Sequence, residues 1–173
     1  GELERIFTHR AWTIEGVFAM PIPNPGAQTI AVAGGTGFVG GAIADELWRR
    51  GHRVIVLSHR GEEARGPLPD DVEIRKADAS TDSGLVEALQ GVDALVIALA
   101  FPNSPIEAPR KGRTFQQVDA QGTEHLVAAA RVAGVRRLVY MSGAGAAPDA
   151  PRHWFRAKWQ AEEAVRGSGR TWT

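Results

Sequence analysis

The stretch AGGTGFVG, residues 33–40, follows a short apolar run, TIAVA (29–33), and opens a segment patterned as a helix. Four of its eight residues are glycine. A strand that passes into a helix through so short a loop needs residues without a Cβ. The helix start then presents unpaired N–H groups and the positive end of its dipole. Gly34 and Gly35 permit the turn, Gly37 lets backbone approach a diphosphate, and Gly40 allows close helix–strand packing. The loop is therefore expected to cradle phosphates with backbone amides near Thr36 and Phe38.

Beyond the loop, Phe38, Val39, Ala42, Ile43, Leu47 and Trp48 recur at helical spacing, and Gly51 stands where such a helix would end. Strands are expected at RVIVLS (53–58), VEIRK (72–76), DALVIALA (93–100) and RLVYMS (137–142). A helix is expected over 82–90, with Ser80, Thr81 or Asp82 available as its cap. Phe115, Val118, Gly122, His125, Leu126, Ala129 and Val132 trace a long helix ending at Gly134, and another runs from His153 to Arg166. Residues 101–112 hold three prolines and read as a loop. Strands that alternate with helices and are apolar on both faces imply a parallel sheet covered on both sides. Right-handed crossovers make it an α/β, doubly wound open sheet.

This domain is expected over residues 29–173. Residues 1–28 show no sustained period, and MPIPNPG (20–26) bars regular structure with three prolines, so an irregular segment or leader is expected there. At the other end SGRTWT (168–173) follows a helix and reads as the start of a strand, so the chain is expected to be cut short before a sixth strand. Twenty basic and twenty acidic side chains balance, which argues against nucleic acid as a partner. The longest apolar run, ALVIALAF (94–101), is far too short to span a membrane. There is no cysteine, which excludes disulfides and thiolate metal sites and fits a cytoplasmic protein. His9, His52 and His125 share no ligand spacing, and no metal is expected.

Read as G-x-x-G-x-x-G, GGTGFVG resembles the short-chain dehydrogenase/reductase superfamily, in its extended and atypical branches. These include NAD-dependent epimerase/dehydratase-like, NmrA-like and complex I 39-kDa-subunit-like proteins. ADAS (77–80), VDAQGTEHLVAAARVAGVRRLVYMSGAGA (118–146) and AKWQAEEAVRGSGRTWT (157–173) extend the resemblance over about residues 29–173. It implies a Rossmann fold, a nicotinamide dinucleotide, and a substrate-recognising lobe built largely from segments beyond residue 173. It also implies that Gly34, Gly35, Thr36, Gly37, Phe38, Val39 and Gly40 surround the diphosphate. Asp78 and Ala79 would lie beside the adenine, although Asp78 equally suits a loop residue capping the next helix. Ala98, Leu99 and Ala100 would lie near the ribose and diphosphate.

An acidic residue ending the second strand normally binds the adenosine ribose and repels a 2′-phosphate. Here that strand ends VLSHR: Ser58 stands in the acid's place, with His59 and Arg60 after it. A guanidinium grips phosphate bidentately, so NADP(H) is favoured. Glu62 and Glu63, near enough to bend toward a ribose, keep NAD(H) as the alternative.

In related enzymes a Ser, and a Tyr-x-x-x-Lys pair on the next helix, move the proton that accompanies hydride. Ser142 matches the Ser and Lys158 the Lys, which also holds the nicotinamide ribose. Trp154 stands where the Tyr belongs, and an indole N–H does not release a proton at accessible pH. His153 titrates near neutrality but points about 100° around the helix from Trp154, and Tyr140 shares a strand face with Ser142. Either a substitute acid serves, or the proton comes from water or substrate, or the chain binds its dinucleotide without turnover. The first two readings make it an NADP(H)-dependent oxidoreductase or epimerase/dehydratase acting on a small carbonyl or hydroxyl substrate. The third makes it a redox sensor or structural subunit working through a protein partner. Self-association through an exposed sheet edge is a further expectation. Asp119 and His125 could face the cleft but read rather as caps or solvated positions, and the basic run Arg152, Arg156, Lys158, Arg166, Arg170 reads as a solvated helix face.

Overall fold

The computed structural model describes residues 24–101, 106–111 and 113–173; of the irregular segment or leader expected over 1–28, residues 1–23 lie outside them. Six parallel strands run β1 (Thr29–Ala33), β2 (Arg53–Ser58), β3 (Glu73–Lys76), β4 (Ala94–Ile97), β5 (Arg137–Tyr140) and β6 (Thr171–Trp172). Their order across the sheet is β3-β2-β1-β4-β5-β6. The direction of winding reverses between β1 and β4, the switch point beyond whose carboxyl ends ligands of such sheets bind.

Alternation along each strand divides the core in two. Ala31, Ala33, Ile55, Leu57, Leu95, Ile97 and Leu138 face one side. They meet α2 (Leu85–Ala88) and α3, a π-helical turn Gln116–Gln121 that continues as the α-helix Gly122–Ala133. Ile30, Val32, Val54, Val56 and Val96 face the other side, against α1 (Phe38–Arg49). Burying a side chain such as Ile55 or Leu95 stabilises the fold by about 1.5–3 kcal/mol. The last helix, α4 (His153–Arg166), has the bounds its periodicity implies and contributes Val165 to the first cluster.

Two expectations change. The helix expected over 82–90 is one turn, and Gly84, at φ +70°, begins it in place of a capping side chain. Asp78 and Ser83 exchange backbone hydrogen bonds of 2.9 and 3.1 Å, which closes the preceding loop and delays the helix. The sixth strand, expected to lie beyond the chain, has begun: Thr171 and Trp172 pair with Arg137 and Leu138. The Thr173 N–H donates to the Leu138 carbonyl at 3.0 Å, and its own carbonyl accepts from Tyr140 at 2.9 Å. Two residues suffice for pairing because β5 presents a row of open edge groups.

Candidate functional site

The glycine loop forms at the switch point. Gly34 adopts φ +84°, and a Cβ there would stand 2.5 Å from the Ala98 carbonyl oxygen, so the turn out of β1 is compatible only with glycine. A Cβ on Gly40 would stand 2.2 Å from the Gly34 oxygen, which lets the first turn of α1 sit directly on the loop. Gly37 caps α1 with no side chain bonded to the helix N–H groups and no acid in the first turn. The amides at the start of α1 therefore open outward beside exposed Thr36, Gly37 and Phe38, and their partial positive charge is unopposed. A diphosphate fits this cradle, and any side chain at Gly34 or Gly40 would collapse it.

Ser58 ends β2 and is buried, its Oγ accepting from the Arg60 N–H at 3.2 Å. His59 and Arg60 are exposed just beyond. Glu62 does not bend toward this edge: its two carboxylate oxygens accept from Arg65 at 2.9 Å each. Asp78 folds into its own loop, Oδ1 accepting from the Ser80 N–H at 2.9 Å and the Ser80 hydroxyl at 2.7 Å. It caps that turn and not α2. The Ala79 carbonyl lies 2.7 Å from His125 Nδ1. Gly122 lets α3 close on the same region, since a Cβ there would stand 3.3 Å from a Leu99 methyl and 3.6 Å from the Ala79 Cβ. Ala98 donates to the Ala33 carbonyl at 2.9 Å, which holds the end of β4 beside the glycine loop, and Ala100 is exposed above it.

The residues matched to proton transfer are differently engaged. Lys158 is buried: its Nζ donates to the Leu99 carbonyl at 2.9 Å and the Met141 carbonyl at 3.4 Å, and stands 3.0 Å from Asp119 Oδ1. Asp119 is fully buried, its Oδ2 accepting from the Phe101 N–H at 3.0 Å. Burial raises the Asp119 carboxyl above its ordinary pKa, and the Lys158 ammonium opposes that rise. These contacts overturn the reading of Asp119 as a cap or solvated position and of Lys158 as part of a solvated face. His125, half-buried against Ala79, is likewise no solvated position. The signal for Asp119 was its place in the apolar stripe of α3, between Phe115 and Gly122; its partner lies on another element, which no local pattern reveals.

The Ser142 hydroxyl is exposed and donates to Glu162 Oε1. The Trp154 indole lies over the following residue, its edge 3.1 Å from where a Gly143 Cβ would be. It packs beside Phe101, Phe115 and Ala157. The two substitute acids are not brought to this point. His153 turns to Glu107, Nδ1 to Oε2 at 3.3 Å. The Tyr140 hydroxyl is buried with no hydrogen-bond partner among the described residues. Burial first, then the charges of Asp119 and Glu162, push its pKa above the usual phenol value.

A parallel sheet with an open, glycine-lined helix start at its switch point defines a dinucleotide-binding α/β domain. The chain belongs to the NAD(P)H-binding family, whose match spans residues 34–173, within the short-chain dehydrogenase/reductase superfamily. It is 35% identical over 147 residues to the (4-alkanoyl-5-oxo-2,5-dihydrofuran-3-yl)methyl phosphate reductase of Streptomyces griseus, covering 83% of this chain and 45% of that protein. The Citrobacter sp. triphenylmethane reductase complexed with NADP(H) superposes with a TM-score of 0.64 at 26% identity, over 83% of this chain and 47% of that one. A short-chain dehydrogenase/reductase superfamily protein from Agrobacterium tumefaciens with bound NAD superposes with a TM-score of 0.64 at 27% identity, over 80% and 44%. The chain spans less than half the length of these proteins. Among the described residues no helix is long and apolar enough to cross a membrane, and no three His, Asp or Glu side chains are grouped to hold a metal ion.

Proposed function

We propose that this chain is the cofactor-binding part of an NADP(H)-dependent oxidoreductase, or of an epimerase or dehydratase using internal hydride transfer, acting on a small carbonyl or hydroxyl compound in the cytoplasm. The observation that carries this reading is the cradle itself, a glycine-lined helix start with no capping side chain, at the sheet's switch point. The preference for the phosphorylated cofactor is supported by Ser58 in the acid's place, by exposed Arg60, and by the engagement of Glu62 with Arg65. A bound nicotinamide supplies or accepts the hydride. The amides near Thr36 and Phe38 hold the diphosphate, and the buried Lys158 fixes the ends of β4 and β5 by their Leu99 and Met141 carbonyls beside the ribose. Ser142, at the mouth of the crevice, orients the substrate oxygen once its hydroxyl leaves Glu162.

No tyrosine faces that oxygen, so water or the substrate supplies the proton. The same fact favours a second reading, a dinucleotide-binding sensor or structural subunit that acts through a protein partner: Trp154 cannot donate a proton, and Tyr140 holds its proton in a buried position. Transfer of deuteride from 4-deuterated NADPH to a panel of small carbonyl compounds separates the two. Label in any product supports the enzyme. Binding without transfer, with a co-purifying protein, supports the sensor.

A further inference from the structure

We propose that Lys76 is a second cation of the 2′-phosphate site, standing with Arg60 to select NADP(H) over NAD(H). This rests on the phosphorylated-cofactor reading above. The last register pair between β2 and β3 joins Ser58 to Lys76. Register partners on parallel strands project to the same side of the sheet. Lys76 therefore leaves the sheet on the side of Ser58, at the carboxyl end of the strands where the ribose would lie.

Its stem is held there. Gly61, the residue after Arg60, is buried at φ +62° and turns its Cα toward Lys76. A Cβ on Gly61 would stand 3.6 Å from the Lys76 Cβ and 3.9 Å from its Cγ and Cδ. The aliphatic stem thus lies against Gly61 while the residue as a whole is exposed, the usual disposition of a lysine that covers apolar surface and leaves its charge to solvent.

The charge pairing around this edge singles out the same two residues. Glu73 is engaged by Arg53 at 2.8 Å and Arg75 at 2.7 Å, and Glu62 by Arg65 at 2.9 Å. Among the described residues neither Arg60 nor Lys76 forms an ion pair with a carboxylate. Both cations leave the chain at the carboxyl ends of β2 and β3, where an anion would offset their mutual repulsion. A ribose 2′-phosphate monoester, carrying about −1.5 to −2 charge near neutral pH, suits the pair. A ribose hydroxyl can accept a hydrogen bond from such a pair but carries no charge to offset theirs.

The test uses the whole chain and two adenine nucleotides, 2′,5′-ADP and 5′-AMP, with calorimetric binding of each and circular dichroism as the check on folding. The wild-type chain is expected to prefer 2′,5′-ADP. Lys76→Ala should reduce that preference about tenfold, the loss of one charge-assisted contact at an exposed site, and leave 5′-AMP affinity unchanged. Lys76→Arg should keep it, and Lys76→Ala with Arg60→Ala should abolish it. If Lys76→Ala leaves the preference intact while Arg60→Ala removes it, Lys76 has no part in the site and the cofactor reading survives. Equal affinity of the wild-type chain for both nucleotides overturns the cofactor reading, and this inference with it.

Discussion

The Asp119–Lys158 pair offers the sharpest energetic test, because both side chains are out of water, at 0% and 5% exposure. At 3.0 Å and an effective dielectric of about 20, their attraction is about 5 kcal/mol. Desolvation of each ion costs several kcal/mol, so the intact pair contributes little net stability. Removing one partner leaves the other charge buried alone, at a cost of about 3–5 kcal/mol. Against a total of about 5–15 kcal/mol for a domain, that loss is about a fifth or more. Lys158→Met, which keeps the stem, is expected to show it in urea denaturation followed by circular dichroism, and Asp119→Asn a part of it. The double variant should be no worse than Lys158→Met, a non-additivity of about 2 kcal/mol or more. The pH dependence has a definite sign. Burial already raises the Asp119 carboxyl, and without Lys158 nothing opposes that rise. A carboxyl whose folded pKa exceeds its unfolded one loses stability as pH rises from the unfolded value through the folded one. The defect of Lys158→Met should therefore shrink as the pH falls toward the carboxylate range. Additive losses, or a cost under about 1 kcal/mol for Lys158→Met, would show an ammonium free to solvent and refute the buried strut.

Tyr140 is the single tyrosine, so alkaline absorbance at 295 nm reports it alone. Its raised pKa predicts no phenolate signal in the folded chain near pH 10, where urea-unfolded chain is half titrated; a folded titration near 10 contradicts the burial. Gly40→Ala places a methyl 2.2 Å from the Gly34 oxygen and should cost about 1–3 kcal/mol by thermal melting and abolish NADPH binding; unchanged binding would show the helix start to be uninvolved. Glu73 lies between Arg53 and Arg75, which hold its carboxyl below the ordinary value. A lowered carboxyl contributes stability above its unfolded pKa and loses it as pH falls. Glu73→Gln should thus melt below the wild-type chain at pH 7 and converge with it below about pH 4; a constant difference would contradict this.

The residues that follow local rules were legible. TIAVA and RVIVLS became β1 and β2 at the expected bounds because their apolar runs are short and end at turn residues. His153–Arg166 did so because its buried Ala157, Ala161 and Val165 recur at helical spacing. The glycine loop was legible because its spacing reflects contacts inside the loop, Gly37 and Gly40 against the Gly34 oxygen, although Gly34 itself answers the distant Ala98 carbonyl. The site's interior was not. Asp119 and Lys158 lie 39 residues apart, and their pairing depends on how α3 and α4 pack over the ends of β4 and β5. Glu62 could be read toward the ribose only while the position of Arg65 was unknown. The first helix turn after β3 is not legible because Ser80, Thr81 and Asp82 suit a cap by type, yet Asp82 takes φ +60° in a loop closed by Asp78 and Ser83.

On the proposed function, amides at the start of α1 gather around a dinucleotide diphosphate. Titration of ¹⁵N-labelled chain with NADPH, followed by amide chemical shifts, tests it most directly. The largest displacements should fall on Gly35, Thr36, Gly37, Phe38 and Val39, with smaller ones at Arg60 and Ala79. A folded chain whose loop amides stay still at saturating NADPH, or whose shifts fall elsewhere, contradicts the account.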